Sequence, residues 1–386
     1  MTSTQLRPLQ SRLPNVGTTI FTTMSALAEA HGAVNLGQGF PDFACDPALR
    51  DAVSQAMRAG HNQYAPMTGC APLREAVAQK FSTLYGHRYD PATEITITAG
   101  ATQAILTALL AIVHPGDEVI VLEPCYDSYV PAIEMAGGVA LRVPLTPLEF
   151  RPDFAAIAAA LSPKTRAIVI NTPHNPSGRI WSAAEMRKLG ALLQGTEVLV
   201  ISDEVYEHMV YDGGAHQSVA RHNELAERSF AISSFGKTYH VTGWKIGYVA
   251  APAALMAEFR KIHQFNVFSV NTPMQQGLAS YMADMRPILE LPRFYQAKRD
   301  LFRAGLENTR LKVLPCEGSY FQCVDYSAVS SLPERAFCEW LTRDVGVAAI
   351  PLSAFQSGGT EQGIARFCFA KKDITLKQAL AKLKAI

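Results

Sequence analysis

Between about residue 94 and residue 251 the chain alternates two apolar patterns. Short continuous runs rich in β-branched residues, "EITITAG", "DEVIVLEP", "VALRVPL", "TRAIVINTP", "EVLVISDEV", "SFAISSF" and "KIGYVAAP", predict strands. The segments "ATQAILTALLAIV", "DSYVPAIEMAGG" and "PDFAAIAAAL" predict helices between them. Ser182 with Glu185 three residues on predicts a capping box, opening a helix that runs to about Gln194. Strands that are apolar throughout belong to a sheet covered on both faces, and strand–helix alternation makes that sheet largely parallel. The carboxyl-terminal third differs. A long helical region from near Ala253 past Asn308 leads into "LKVLPCEGSYFQCVDY", "PERAFCEWLTRDVG", "VAAIPLSAF", "IARFCFA" and a last helix, which predict a smaller α+β unit. The expected fold class is α/β. A large domain, 45–275, has a mainly parallel sheet sandwiched by helices. A smaller α+β domain is built from 1–44 and 276–386.

Ligands of such sheets lie beyond the carboxyl ends of the strands. The polar clusters "TAGAT", "EPCYDSY", "NTPHNPSG", "SDEVYEH" and "SSFGKT" all sit at or just past predicted strand ends. Separate segments therefore have the means to converge on one site.

Composition narrows the function classes. The 386 residues are 48% hydrophobic and 18% charged, with 35 basic against 34 acidic residues. A net charge of +1 gives no pull toward nucleic acid or a membrane surface. The longest strongly apolar run, Ala104 to Val113, is half of the roughly 20 residues a membrane span needs. The opening "MTSTQLRPLQSRLPNVGTT" lacks the apolar core of a signal peptide. Seven cysteines stand singly with no C-x-x-C, which suits reduced thiols in the cytoplasm. Ten histidines show no ligand spacing, so no metal is expected.

Candidate chemistry begins with Lys237 in "SSFGKTYHVTGWKIGY". A free lysine amine is protonated at neutral pH; desolvation or a nearby cation such as Lys245 would make it a nucleophile for carbonyls. On residue type alone a solvated loop lysine is the commoner case. Asp203 follows the apolar "VLVI", where an ionised carboxylate needs a partner. A protonated ring nitrogen is one such partner; capping the next turn or pairing with an arginine are others. Tyr206, three residues on, can face the same site. In "NTPHNPSGR", a stiff loop can aim the Asn175 amide at a ligand oxygen, although such segments are usually just turns. The small residues Gly100, Ala101 and Thr102 open a helix whose free N–H groups suit phosphate, a signal that is weak alone. Tyr126 either stacks on a flat ring or packs in the core. Arg366 lies in a short apolar strand, so it either has an internal acid or awaits an incoming carboxylate.

Taken together, "NTPHNPSG", "DEVYEH", "SSFGKTYHVTGWKIGY" and "RFCFA", with "LGQGFPDF" and "NQYAPMTG" upstream, resemble the class I/II aminotransferases, pyridoxal 5′-phosphate enzymes of fold type I. Within the family the chain looks most like the methionine aminotransferase group, near the kynurenine aminotransferase and cysteine-conjugate lyase enzymes. The resemblance implies roles. Lys237 holds the cofactor as a Schiff base and then shuttles the substrate proton. Asp203 keeps the pyridine nitrogen protonated. Tyr206 and Asn175 bond the ring hydroxyl oxygen, and Tyr126 stacks on the ring. The phosphate lies at Gly100, Ala101 and Thr102 with Ser234, Lys245 and Tyr64. In relatives the tyrosine matching Tyr64 comes from the other subunit, which implies a homodimer with shared active sites. Lys245 stands where many relatives carry arginine, so the charge survives without the planar fork. Arg366 binds the substrate α-carboxylate, with Asn175 and the Gly39 backbone. By the same analogy the Asn175–Pro176 and Glu123–Pro124 bonds are expected to be cis.

The second cation that dicarboxylate-specific relatives use has no clear candidate. Phe21, Phe40, Tyr64 and Phe268 give instead an aromatic lining. This predicts an amino donor with an uncharged, fairly large side chain, methionine first and then aromatic amino acids or histidine, with a 2-oxo acid as acceptor. The alternative within the same fold is a kynurenine aminotransferase or cysteine-S-conjugate β-lyase. A non-catalytic sensing domain with this fold would carry an added DNA-binding region, and no helix-turn-helix or basic stretch stands in the forty residues before the core.

Overall fold

A two-residue strand, β1 (Val34–Asn35), precedes the strands expected from the sequence, which form as β2 (Ile95–Thr98), β3 (Glu118–Glu123), β4 (Val139–Pro144), β5 (Thr165–Asn171), β6 (Leu199–Asp203), β7 (Ser229–Ser234) and β8 (Gly247–Ala250). The computed structural model describes residues 9–358 and 361–386. Strands β2 to β8 make one sheet in the order β2-β8-β7-β6-β5-β3-β4. The pairs from β4 across to β7 are parallel, and β8 runs antiparallel to both β2 and β7.

Residues along the strands serve two cores in turn. Ile168, Ile170, Val200 and Ala231 pack into one, whereas Val169, Ile201, Phe230 and Ile232 pack into the other. Burying each Val, Ile or Phe side chain is worth about 1.5–3 kcal/mol. That two-sided burial is why these strands read as unbroken apolar runs. The helix Ala183–Leu193 opens on Ser182, whose side chain accepts from the Glu185 N–H while Glu185 reaches back to the Ser182 N–H.

The reversed strand β8 has a consequence for the site. The parallel strands deliver their carboxyl ends to one edge of the sheet, and β8 delivers its amino end there. Gly247 pairs with both Thr98 and Ser234, so Lys245, two residues before it, arrives at the same edge.

A second, smaller sheet is antiparallel throughout. It joins β9 (Lys312–Val313), β10 (Phe321–Asp325), β12 (Ile350–Pro351) and β13 (Ile364–Cys368) in the order β12-β13-β10-β9. Its core, including Val324, Phe367 and Leu376, takes in Met24 and Leu36 from the amino-terminal segment. β1 pairs in parallel with β11 (Val347–Ala348). The long helical region is three helices, Ala253–Asn266, Thr272–Tyr281 and Arg286–Leu306. Phe268 adopts φ 68°, Asn271 caps the second helix by accepting from the Met274 N–H, and prolines stand in the first turns of the second and third. Leu278, Met282 and Ile288, beyond the expected boundary at 275, pack into a core of the large sheet. Among the described residues no helix is long and apolar enough to cross a membrane, and no cluster of His, Cys, Asp or Glu could hold a metal ion.

Candidate active site

A cleft of about 330 Å³ opens at the edge of the sheet where these strand ends meet. Asn171 and Asp203 end the neighbouring strands β5 and β6 and stand opposite each other in register. Ser234 ends β7, and Lys237 follows within a single helical turn, Phe235–Thr238. The expected residues Phe21, Gly39, Gly100, Ala101, Thr102, Tyr126, Asn175, Asp203, Tyr206, Ser234, Lys237, Lys245 and Arg366 all line this cleft. Tyr64, Phe40 and Phe268 do not line it within their own chain. Tyr64 is 80% exposed and meets Phe268 edge-on, with ring centroids 5.2 Å apart, and the Phe40 ring lies against the Lys371 amine.

Lys237 is not a solvated loop lysine. Its Nζ donates to the Tyr320 hydroxyl at 2.8 Å and the Gly39 carbonyl at 3.3 Å. Burial lowers the amine from its ordinary value to about 8, with Lys245 and Arg366 pushing the same way and Asp203 opposing them. The neutral amine is therefore accessible near physiological pH.

Asp203 is buried, and burial raises its carboxyl to about 6. Tyr129 donates to its Oδ2 at 2.5 Å and the Val205 N–H to its Oδ1 at 3.2 Å, and both favour the ionised form. Of the alternatives open in the sequence, Asp203 does cap the next turn, and among the described residues it has no arginine partner. Hydrogen bonds from neutral donors leave room for a cationic partner at the cleft side.

Arg366 is almost wholly buried in β13, and no described carboxylate pairs with it. Its Nη1 donates to Asn175 Oδ1 at 2.6 Å and its Nη2 to the Gly37 carbonyl at 3.0 Å, while Nε has no partner. The guanidinium lies against the rings of Phe321, Phe355 and Phe21, at 3.9, 4.7 and 5.3 Å from their centroids. A buried cation held only by neutral groups is arranged to receive an anion.

At the far side, no side chain caps the helix Ala101–Ile112 at its Gly100 start. Gly100 takes φ 81°, and a methyl group there would come within 3.5 Å of Lys245 Nζ. A methyl at Gly247 would lie 2.6 Å from the Ser233 carbonyl and 3.2 Å from the Ala101 nitrogen. At Gly247 only glycine leaves room, and at Gly100 the left-handed φ favours glycine. Free N–H groups, the Ser234 hydroxyl and the Lys245 ammonium together suit a phosphate. The Asn175–Pro176 and Glu123–Pro124 bonds are cis as expected, and Thr172–Pro173 is cis as well.

The cleft thus offers a glycine-lined cradle, an amine, an acid behind the floor and a buried guanidinium in one continuous surface. These residues fit pyridoxal 5′-phosphate, whose phosphate, aldehyde and ring nitrogen need those groups. Sequence reasoning missed Tyr129 and Tyr320, both buried and both bonded to site residues, as well as Gln38, Asn171, Thr242 and Phe321. Asn171 carried a signal, since it ends a predicted strand at the start of the proline-rich loop. The tyrosines carried none beyond aromaticity.

The model of the family "Aminotransferase class I and II" matches residues 32–383. Methionine aminotransferase of Escherichia coli is 52% identical over the full length of both chains. Human kynurenine–oxoglutarate transaminase 1 is 35% identical, covering 93% of each chain. Among solved structures, Escherichia coli YbdL, described as having a methionine aminotransferase function, superposes with a TM-score of 0.97 at 51% identity, over 99% of this chain and 100% of its own. Aspartate aminotransferase of Thermus thermophilus superposes at 0.90 with 30% identity, over 98% and 100%. The chain belongs to the class I and II aminotransferases.

Proposed function

We propose that this aminotransferase takes the amino group from L-methionine, and next from aromatic amino acids or histidine, and passes it to a 2-oxo acid. The observation that carries the donor class is the surface around Arg366. The cations lining the cleft are Lys237, Lys245 and Arg366, and the rings of Phe21 and Phe321 flank the clamp. A second carboxylate on the donor finds no cation left for it, whereas a thioether or ring finds aromatic contact. The likeness to methionine aminotransferase of Escherichia coli supports the same donor.

The cofactor of the family is pyridoxal 5′-phosphate, which when bound supplies an electron-withdrawing ring that carries the amino group between the two acids. The residues have separate tasks. Lys237 would hold the cofactor and take up the proton from the substrate α-carbon, which requires its amine to be neutral. Asp203 holds a proton on the pyridine nitrogen. Asn175 and Tyr206 donate to the ring hydroxyl oxygen, and Asn175 can do so because its carboxamide oxygen already faces Arg366. Tyr126 would lie against the ring, and Ala101, Thr102, Ser234 and Lys245 would hold the phosphate. Arg366 binds the α-carboxylate, with Asn175 and the Gly39 backbone beside it.

The same reading places the enzyme in the cytoplasm, as its seven unpaired thiols suit, and makes it a homodimer in which Tyr64 reaches the partner's phosphate site. A visible absorbance band of the purified enzyme that shifts on adding methionine is the expected result, and Lys237→Ala should lose both band and most turnover. Turnover like that of the wild type in Lys237→Ala would refute the assignment. Relative kcat/KM over a donor panel tests the substrate class, and aspartate or glutamate as best donor would overturn it. The likeness to kynurenine transaminases supports a second reading, in which kynurenine is the better donor; beside it stands the alternative of a β-lyase acting on cysteine S-conjugates. Pyruvate released from a cysteine conjugate without added 2-oxo acid would favour it.

A further inference from the structure

Tyr320 lies in a part of the chain that no expected motif covers, yet its hydroxyl touches the reactive amine. Its ring is fully buried and fixed edge-on to Tyr206 and Phe321, with centroids 5.0 and 4.9 Å away, and against Tyr295 at 5.9 Å. The turn before it is equally constrained. Ser319 takes φ 59°, an uncommon conformation for a residue with a side chain, and is held by its N–H to the Met209 carbonyl at 2.9 Å and by the Tyr211 hydroxyl on its own carbonyl. A methyl at Gly318 would meet the Met209 carbonyl at 2.7 Å, so the backbone is fixed there too. The Tyr320 hydroxyl is thereby set at one place.

That place closes a triangle. The Tyr320 O–H donates to the Gly39 carbonyl, and Lys237 Nζ donates to the Tyr320 oxygen at 2.8 Å and to the Gly39 carbonyl at 3.3 Å. The single hydroxyl proton is committed to Gly39, so toward the amine Tyr320 is an acceptor only. The two oxygens are bonded to each other, so both lie on one side of the amine. An N–H turned to that side is shared between them, and the lone pair is left facing away from them. A residue that served only to fill space at this position would need the ring and not the hydroxyl.

We propose that Tyr320 is a positioning residue for Lys237: the Tyr320 hydroxyl, with the Gly39 carbonyl, holds the amine from one side whenever it is released from the cofactor and leaves its lone pair free for proton transfer at the substrate α-carbon. This rests on Lys237 being the cofactor-bearing lysine. No bond is made or broken at Tyr320 itself. The substrate α-proton goes to the Lys237 nitrogen, and the hydroxyl keeps its proton on Gly39 throughout.

The test uses Tyr320→Phe in the cofactor-loaded enzyme, compared with wild type in single turnovers with methionine and α-deuterated methionine. The chemical step should slow by about 10–100-fold with substrate affinity changed less than about threefold, and the α-deuterium isotope effect should rise as proton transfer becomes limiting. A second readout does not depend on turnover. In enzyme charged to the amino form of the cofactor and labelled with [13C]lysine, the Lys237 ε-carbon signal, assigned by its absence in Lys237→Ala, reports the titration of the free amine. Loss of an acceptor disfavours the ammonium, so its midpoint should fall by about one pH unit in Tyr320→Phe. A fluorotyrosine at 320 keeps ring and hydroxyl, makes the oxygen a weaker acceptor for the amine and the O–H a stronger donor to Gly39, so it covers the case in which the phenylalanine variant folds poorly. It should shift the midpoint the same way by less. Unchanged midpoints together with an unchanged isotope effect would overturn the proposal. A wild-type enzyme with no Lys237-dependent visible band would instead refute the assignment of Lys237, so the two failures are distinguishable.

Discussion

Asp203 carries its acid group where water is scarce, and the cost has a definite pH dependence. Burial raises its carboxyl from 3.8 to about 6. An acid raised on folding binds its proton more tightly in the native state, so stability is lost as pH rises from about 4 to 6 and stays lost above that. That rise corresponds to about 3 kcal/mol. Asp203→Asn should therefore stabilise the cofactor-free enzyme at pH 7.5 by up to that amount, with the gain vanishing near pH 4, while turnover falls by about a thousandfold. Denaturant unfolding of the cofactor-free protein at the two pH values measures the first part. An equal effect at both, or none, would mean that the charge is already compensated within the protein. The same residue shows what sequence makes legible. A carboxylate after four apolar residues is conspicuous because its burial is improbable without a purpose. Tyr129, which donates to it at 2.5 Å, is not conspicuous, because a tyrosine on a helix is usually core. Tyr320 was hidden for the same reason. Polar tips on apolar bodies announce their contacts only in three dimensions.

Along the segment Asp203 to His208 the side chains divide between two environments. Asp203, Val205 and Tyr206 line the cleft, while Glu204 and Glu207 turn into a buried polar network. Glu207 accepts from Lys80 of the helix Ala71–Tyr85, from Ser233 of β7 and from Tyr248 of β8, each at 2.5 Å, and from Tyr85. Burial opposes the Glu207 charge, but Lys80 and the neighbouring His208 and His216 hold its carboxyl well below its usual range. This knot fastens the loop that carries Tyr206 to the helix and two strands beside it. Removing one partner leaves the other charge buried and alone, which typically costs about 3–5 kcal/mol. Lys80→Met should lower stability by about that amount, and the double variant Lys80→Met/Glu207→Gln should recover a large part of it. Equal losses in the single and double variants would show that the ion pair is not the cause. Element boundaries elsewhere followed local chemistry closely, as in the capping box at Ser182. The long carboxyl-terminal helix was the exception. Apolar periodicity runs through its breaks, and the breaks depend on the left-handed turn at Phe268 and on prolines that also tolerate a first helical turn.

At the scale of the whole molecule the sheet and its ligand edge were legible because two-sided burial writes itself into the strands. The reversed direction of β8 was not, since an apolar run has no direction, and it is that reversal which brings Lys245 to the cradle at Gly100. Tyr64, Phe265 and Phe268 are 80%, 87% and 54% exposed, although each is a large aromatic. Tyr64 and Phe268 were expected at the site and do not line the cleft of their own chain. The proposed homodimer, if it turns this face onto the partner's cleft, would account for both facts. Covering each phenylalanine would contribute about 1.5–3 kcal/mol. Sedimentation velocity on the cofactor-loaded enzyme should then give one species of twice 42.0 kDa. Phe265→Asp/Phe268→Asp should weaken self-association by about a hundredfold or more and release cofactor on dilution, because the Tyr64 contact to phosphate is lost with the partner. A wild-type monomer that keeps its cofactor and turns over methionine at micromolar concentration would refute the shared site. A dimeric double variant that loses cofactor would place the interface elsewhere and leave these rings with a role in binding alone.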